Sequence, residues 1–316
     1  MLKVAMIGMG GISGAHLPVW MEMPETEVVA VCDIRPEKAD AAAAKSGARA
    51  YYDFESMAAA ETFDILDICL PTYLHPEYMI KGLNAGAHVL SEKPISLHKE
   101  DVARVYNTAR EKGKCVMIAQ VVRFWREYCL LREAYETGCY GKLLSGRMTR
   151  LGSTPSSSRD SWMRDPARSG LVPFDLHIHD LDFIVYTFGK PENVTCHRAG
   201  TATQDYFEAI YQYPDFFVSA EAAWFDCQYR FQCSFRFQFE KAVMELRDGK
   251  LTVYHADGRV EDMDEEKDNG DGYVPQSNAY ANEIRYFTDC VLAGKPAEKV
   301  KPEELELVLD LIDQLT

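Results

Sequence analysis

Residues 2–7 form a short apolar run, cut off by Gly8-Met9-Gly10-Gly11-Ile12-Ser13-Gly14 and followed by a helical pattern over 15–23. A strand, a tight glycine turn and a helix in direct succession open a βαβ unit, and such units build a parallel sheet covered by helices. In that setting Gly8 is expected to make the turn and Gly10 to let the backbone approach a pyrophosphate. Gly11, Ile12 and Ser13 complete the cofactor-facing loop, and the phosphate charge falls at the helix N-terminus. Ser13 occupies the third position of the G-x-G-x-x-G pattern and Gly14 comes one residue late. Small residues are kept, yet a loop in an unrelated α/β domain would look much the same.

The alternation that follows narrows the choice. Strand and helix signals run through 27–32, 36–45, 49–52, 54–60, 64–70, 75–85 and 88–90, which predicts an α/β Rossmann domain with a doubly wound parallel sheet. The strand 27–32 ends in Asp33, where a carboxylate can bind the adenosine ribose hydroxyls and so favour NAD. Arg35 close by leaves NADP open, because a guanidinium can accommodate a 2′-phosphate. Two strand ends carry polar punctuation, Leu70-Pro71-Thr72-Tyr73-Leu74-His75 and Ser91-Glu92-Lys93-Pro94. Ligands of such sheets bind at the carboxyl ends of the strands, so Pro71, Thr72, His75, Glu92 and Lys93 are expected to face the cofactor. A lysine in a turn is ordinarily a solvated residue. Delivered to the binding crevice, Lys93 could instead polarise a hydroxyl or pass a proton. The Lys93-Pro94 bond is a candidate for the cis form.

A second cluster of ionisable residues is Asp175-Leu176-His177-Ile178-His179-Asp180-Leu181-Asp182, opening an amphipathic pattern that runs to Gly189. On a helix Asp175, His179 and Asp182 share one stripe while His177 points elsewhere. The stripe can hold a base and the carboxylate that orients it. It can equally be a surface helix with acids complementing its dipole. A metal site is a third reading, but no second pair of residues at ligand spacing supports it.

The formal net charge of −15 and a pI near 5.0 repel a phosphate backbone or an anionic membrane. No nucleic-acid or membrane partner is therefore expected, and a small molecule fits better. Nine scattered cysteines without a C-x-x-C point to reduced thiols and a cytoplasmic setting. No run reaches the eighteen or so apolar residues of a membrane helix.

After a helix over 99–112, a short strand over 115–119 and a helix near 125–137, the pattern changes. Strand-like runs over 143–151, 194–201, 207–213, 216–225, 229–239, 242–246 and 251–255 are separated by turn signals. This predicts a second, α+β domain with a large, mostly antiparallel open sheet. In 231–239 aromatics alternate with polar residues, as a sheet packed on the Asp175 helix requires. The turn-rich stretch 152–159 leads to Trp162 and is a candidate wall for a substrate pocket. Arg150 and Trp162 could contact a polyol there. An acidic run over 261–271 reads as a solvated excursion. Two helices, 279–292 and 302–315, end the chain. The expected division is 1–121 for the dinucleotide-binding domain and 122–316 for the substrate domain, with the last helix free to pack back on the first.

Gly8-x-Gly10, the run Ala85-Gly86-Ala87-His88-Val89-Leu90-Ser91-Glu92-Lys93-Pro94 and Asp175-x-x-x-His179, in this order, resemble the Gfo/Idh/MocA family of NAD(P)-dependent oxidoreductases. The resemblance takes in His16, Pro71-Thr72-x-x-His75, Arg123-Phe124 with Tyr128, Gly141-Lys142 and Ser169-Gly170. It implies a dehydrogenase or reductase acting on a ring hydroxyl or ketone of a sugar, glycoside or cyclitol. Lys93, Asp175 and His179 fall on the catalytic positions. It also implies a homodimer or homotetramer formed through the open face of the second sheet. Arg123, Tyr128 and His177 join Arg150 and Trp162 as candidate substrate contacts. The chain departs from the pattern at Ser13, at Ser169 and at His177, the last of which puts substrate choice in doubt. The competing reading from another class is a non-catalytic dinucleotide-binding sensor on the same fold; a metal-dependent hydrolase using His177 and His179 stands further off.

Overall fold

The computed structural model describes residues 1–156, 158–263 and 278–315. Most of the acidic run over 261–271 lies outside them. The chain divides into two compact units, Met1–Val121 with Tyr280–Glu306, and Val122–Ala279 with the residues from Leu307 onward. The first unit thus takes in a late segment of chain that begins before the final helix.

The first unit alternates strands and helices: β1 (Leu2–Ile7), α1 (Ser13–Glu22), β2 (Thr26–Cys32), α2 (Pro36–Ser46), β3 (Arg49–Tyr51), α3 (Phe54–Ala60), β4 (Ile65–Ile68), α4 (His75–Asn84), β5 (His88–Glu92), α5 (Glu100–Lys112) and β6 (Val116–Ala119). The strands form one parallel sheet in the order β3-β2-β1-β4-β5-β6. All four residues of β4 and of β6 are buried, as expected where helices cover both faces. The order reverses direction beside β1 and β4, and that reversal opens the ligand crevice of a doubly wound sheet. Gly8 stands there with φ +89°, and a Cβ on it would lie 2.5 Å from the Cys69 carbonyl oxygen. Only glycine lets the chain leaving β1 run this close to the chain leaving β4.

The second unit begins with α6 (Arg126–Thr137), β7 (Leu143–Ser153), the short α7 (Pro166–Ser169) and α8 (Ile178–Phe188). It continues through β8 (Asn193–Gly200), β9 (Asp205–Gln212), β10 (Phe217–Phe225), β11 (Gln232–Phe239), β12 (Ala242–Arg247), β13 (Lys250–His255) and β14 (Val260–Asp262). Its sheet runs β14-β13-β12-β11-β7-β10-β9-β8. Every pairing is antiparallel except that of β7 with β10. On β11, Phe235, Phe237 and Phe239 are buried while Arg236 and Gln238 are exposed. Phe235 packs edge-on against Tyr128 of α6, and Phe237 stacks on Phe188 of α8. The helices α9 (Ala279–Ala293) and α10 (Pro302–Leu315) close the chain.

Two local expectations change. Residues 229–231 are not part of β11, because the Tyr229 amide donates to Ser153 Oγ and its carbonyl accepts from the same hydroxyl, at 2.8 and 2.9 Å. The helix carrying the ionisable cluster does not start cleanly at Asp175. Pro173–His177 form a π turn that feeds α8. Gly170 (φ +72°) and Leu171 (φ +60°) swing the chain into it, and the Phe174 ring fills the place where any Cβ at 170 would stand.

Candidate active site

In the first unit the glycine loop is built from its own side chains. Ser13 Oγ donates to the Gly10 carbonyl at 2.7 Å, so the hydroxyl at the third motif position closes the turn that a glycine would leave open. Gly10 and Gly11 have no heavy atom within 4 Å of an added Cβ, which leaves the loop's outer side clear for a phosphate. The Asp33 carboxylate accepts the Met9 amide at 2.8 Å and both the Nε and Nη2 of Arg35, at 3.0 and 3.1 Å. Burial pushes Asp33 up, but the Arg35 guanidinium together with the Arg35 and Met9 amides more than offsets it and holds the carboxyl below its usual range. An open loop above β1 and an ionised acid at the end of β2 fit a dinucleotide.

The strand ends above β4 and β5 are tied together by His75. Its Nδ1 lies 2.7 Å from the Pro94 carbonyl oxygen and its Nε2 2.7 Å from that of Leu70. With the residue 1% exposed and one nitrogen facing each carbonyl, the ring sits between the two loops. Thr72 is buried, and Lys93 is half-buried beside a cis Lys93-Pro94 bond. Glu92 is buried and turned inward: Oε1 meets His16 Nε2 at 3.1 Å, and Oε2 accepts the Lys93 amide at 3.1 Å.

His16, Asp67 and Cys69 bring their ligand atoms within 4.8 Å of one another. His16 Nδ1 faces Asp67 Oδ2 at 3.0 Å while Nε2 faces Glu92. A ring that donates from both nitrogens has no lone pair for a metal. Asp67 is the member that sequence reasoning passes over, although a carboxylate inside the apolar strand Ile65-Leu66-Asp67-Ile68 was a usable signal.

In the second unit the burial pattern selects two residues. From Val172 to Val185 every residue is buried except Asp175 and His179. The two stand four residues apart on an otherwise internal segment. The remaining ionisable residues of the cluster are consumed inside. Asp182 takes Arg123 bidentately, Nε to Oδ2 at 2.8 Å and Nη2 to Oδ1 at 2.6 Å. Asp180 takes Arg150 Nη2 at 2.8 Å, and the same nitrogen reaches Tyr128 Oη at 3.3 Å. His177 Nε2 lies 2.6 Å from Tyr211 Oη, with its ring T-shaped on Phe207. Burial, reinforced by the Arg150 charge, lowers the His177 pKa to about 3.

Four expected substrate contacts, Arg123, Tyr128, Arg150 and His177, lie inside the second unit. Each is at most 2% exposed and is bonded within the second unit, where each supports the segment that presents Asp175 and His179. Trp162 is half-buried in the stretch before α7. Tyr211 and Asp180 escaped notice because strand and helix periodicity reports that a position is internal but not which polar partner waits there.

The fold and the loop together define a Rossmann-type dinucleotide-binding unit with an appended α+β unit. Residues 2–120 match the model of the oxidoreductase family with an NAD-binding Rossmann fold, and residues 128–245 match the C-terminal domain model of the same family. The chain belongs to the Gfo/Idh/MocA family. Among curated relatives, D-glucoside 3-dehydrogenase of Escherichia coli (strain K12) is 31% identical over 192 residues, 60% of this chain and 55% of that protein. A 2,7-anhydro-N-acetylneuraminate hydratase of the same organism is 28% identical over 62% of this chain and 52% of its own length. The chain thus spans about half the length of the curated relatives it matches. A solved levoglucosan dehydrogenase, in complex with NADH and levoglucosan, superposes with a TM-score of 0.83 at 21% identity, covering 99% of this chain and 96% of that one. This last likeness establishes the fold.

Proposed function

We propose that the protein is an NAD-dependent dehydrogenase, or reductase in the reverse direction, acting on a secondary ring hydroxyl of a sugar, glycoside or cyclitol. The observation that carries this reading is the isolation of Asp175 and His179 as the two accessible residues of a buried segment. Bound NAD would supply the hydride acceptor. His179, whose Nδ1 is buried, takes the hydroxyl proton at Nε2. Asp175, four residues earlier on the same segment, is the carboxylate assigned to orient the imidazole when substrate binds. Lys93 would act as the cation that lowers the proton affinity of a substrate oxygen as the C–H bond breaks. Gly8, Gly10, Gly11, Ile12 and Ser13 seat the pyrophosphate. Asp33 selects the ribose hydroxyls; Arg35 is its partner, and its side chain could turn to a 2′-phosphate. Trp162 borders the substrate. The relatives' printed names, a glucoside dehydrogenase and a levoglucosan dehydrogenase among them, support the substrate class.

We further propose that the protein is cytoplasmic, as nine free cysteines suggest, and that it forms a dimer or tetramer through the polar face of the second sheet. No helix among the described residues is long and apolar enough to cross a membrane.

The test is a screen of sugars, glycosides and cyclitols with NAD and NADP in parallel, following reduced nicotinamide absorbance. His179→Ala should cut turnover of the best substrate by about a hundredfold or more while NAD affinity stays within about threefold. Unchanged turnover would remove His179 from the chemistry.

A further inference from the structure

His16 is fully buried in α1, between Asp67 of β4 and Glu92 of β5. Its Nδ1 lies 3.2 and 3.0 Å from the two Asp67 oxygens, and its Nε2 lies 3.1 Å from Glu92 Oε1. A neutral imidazole has one N–H and cannot donate to carboxylates on both sides. The arrangement is complete only with the ring doubly protonated. Burial alone would favour the neutral ring, and the Asp67 carboxylate together with Cys69 outweighs it, raising the His16 pKa well above its ordinary value. The rest of the network is closed as well. Asp67 Oδ2 accepts Trp20 Nε1 at 2.7 Å, and Glu92 Oε2 accepts the backbone amide of Lys93 at 3.1 Å.

We propose that His16 is a positioning residue for Lys93: donating from both ring nitrogens, it fixes the Glu92 carboxylate, whose free oxygen in turn anchors the Lys93 backbone at the site. The inference rests on the reading of Lys93 as a group that meets the substrate oxygen. Its physical content is a chain of charge-assisted bonds. Asp67 holds His16, His16 holds one oxygen of Glu92, and the other oxygen holds the turn that carries the ammonium. Replacing His16 by a neutral donor leaves two buried carboxylates where one cation had compensated them. One of them must then take up a proton or move. Either response releases the Lys93 anchor, and a displacement of about 1 Å at a reacting group can cost up to a hundredfold in rate.

Three measurements test this on the full-length protein. Nitrogen-15 NMR of histidine-labelled wild type, with His16 assigned through His16→Gln, should show both ring nitrogens protonated at pH 8, well above the ordinary imidazole pKa of about 6.5. A neutral ring overturns the proposal, and this readout needs no stable variant beyond the assignment. Where His16→Gln fails to fold, Glu92→Gln serves for assignment by the shift of the His16 signal. The second measurement uses the NAD-loaded protein, reductively methylated with carbon-13 at lysine. The Lys93 resonance, assigned through Lys93→Arg, should move in His16→Gln and in Glu92→Gln, whereas NAD affinity stays within about threefold. An unmoved resonance in a folded variant overturns the proposal. The third is a double-mutant cycle on the best substrate of the screen. His16→Gln should lower kcat roughly ten- to a hundredfold with little change in substrate KM, and should cost nothing further once Lys93 is Ala. Fully additive losses make His16 merely structural and overturn the proposal. If Lys93→Ala itself leaves turnover unchanged, the catalytic reading of Lys93 has failed, and the two NMR results still decide whether His16 anchors the turn.

Discussion

His177 and His16 show how burial and neighbouring charge can set two histidines of one chain in opposite states. His177 sits against Tyr211 with its pKa lowered to about 3 by burial and by Arg150. In the unfolded chain it would titrate near 6.5. Between those values the unfolded state binds a proton that the folded state does not, so stability rises with pH across the window and is lost as pH falls through it. The expected slope from this residue is up to about 1.4 kcal/mol per pH unit. Gln at 177 can still bond Tyr211 but has no proton to gain. Thermal melts of His177→Gln between pH 6.5 and 4 should fall less steeply than those of the wild type, and parallel curves would sink the argument. His16, raised above its ordinary value, contributes with the opposite sign: its stabilisation is present at low pH and fades as pH rises through the folded pKa. Sequence alone expects Asp175 and His179 on one face, because a four-residue spacing brings residues together on a helix. It could not tell that Arg123, Tyr128, Arg150 and His177 turn inward. Polar side chains declare their partners only when distant elements meet, as Arg123 meets Asp182.

At the scale of elements, α8 is held by ions as much as by apolar packing. Arg123 and Asp182 are both within 1% of full side-chain burial and make two short bonds, and Arg150 with Asp180 repeats the device two residues earlier. Such a pair adds little over an apolar isostere, yet removing one member strands a buried charge at a cost of about 3–5 kcal/mol. Asp182→Ala should therefore lower the Tm by on the order of 10 °C. The double substitution Arg123→Met with Asp182→Leu should recover most of the loss, which differential scanning calorimetry can read directly. A melt unchanged in Asp182→Ala would show that the pair is not what holds the helix. The amphipathic period announced α8 from sequence, and alternation announced β11. The π turn at Pro173–His177 was not announced; the Phe174 ring lies over Gly170 there, a contact no periodicity encodes.

For the whole molecule, the outer face of the second sheet is the surface to watch. Strands β7, β11 and β12 line there a concavity of about 410 Å³ with Arg147, Thr149, Ser234, Arg236 and Glu245 among its walls. Arg147 is paired with Glu221 across the sheet at 2.8 Å. A face bearing both signs can complement its own copy under a two-fold axis. Light scattering should return a multiple of 35.8 kDa, and the double reversal Arg147→Glu with Arg236→Glu should return the single-chain mass. A wild type that is already monomeric would dismiss the proposed assembly. A two-domain plan was expected from the switch between helix–strand alternation and consecutive strands near residue 121. The return of Tyr280–Glu306 to the first unit was not, since an amphipathic helix does not say which core it will cover. That return fixes an order of manufacture. A ribosome releases the glycine loop, Asp33 and Lys93 early, but the buried Ile284, Phe287 and Val300 emerge only after the whole second sheet has been made. The unit that carries the glycine loop is begun before the second sheet and completed only after it, so its earlier strands must stay out of trouble while the other unit is synthesised.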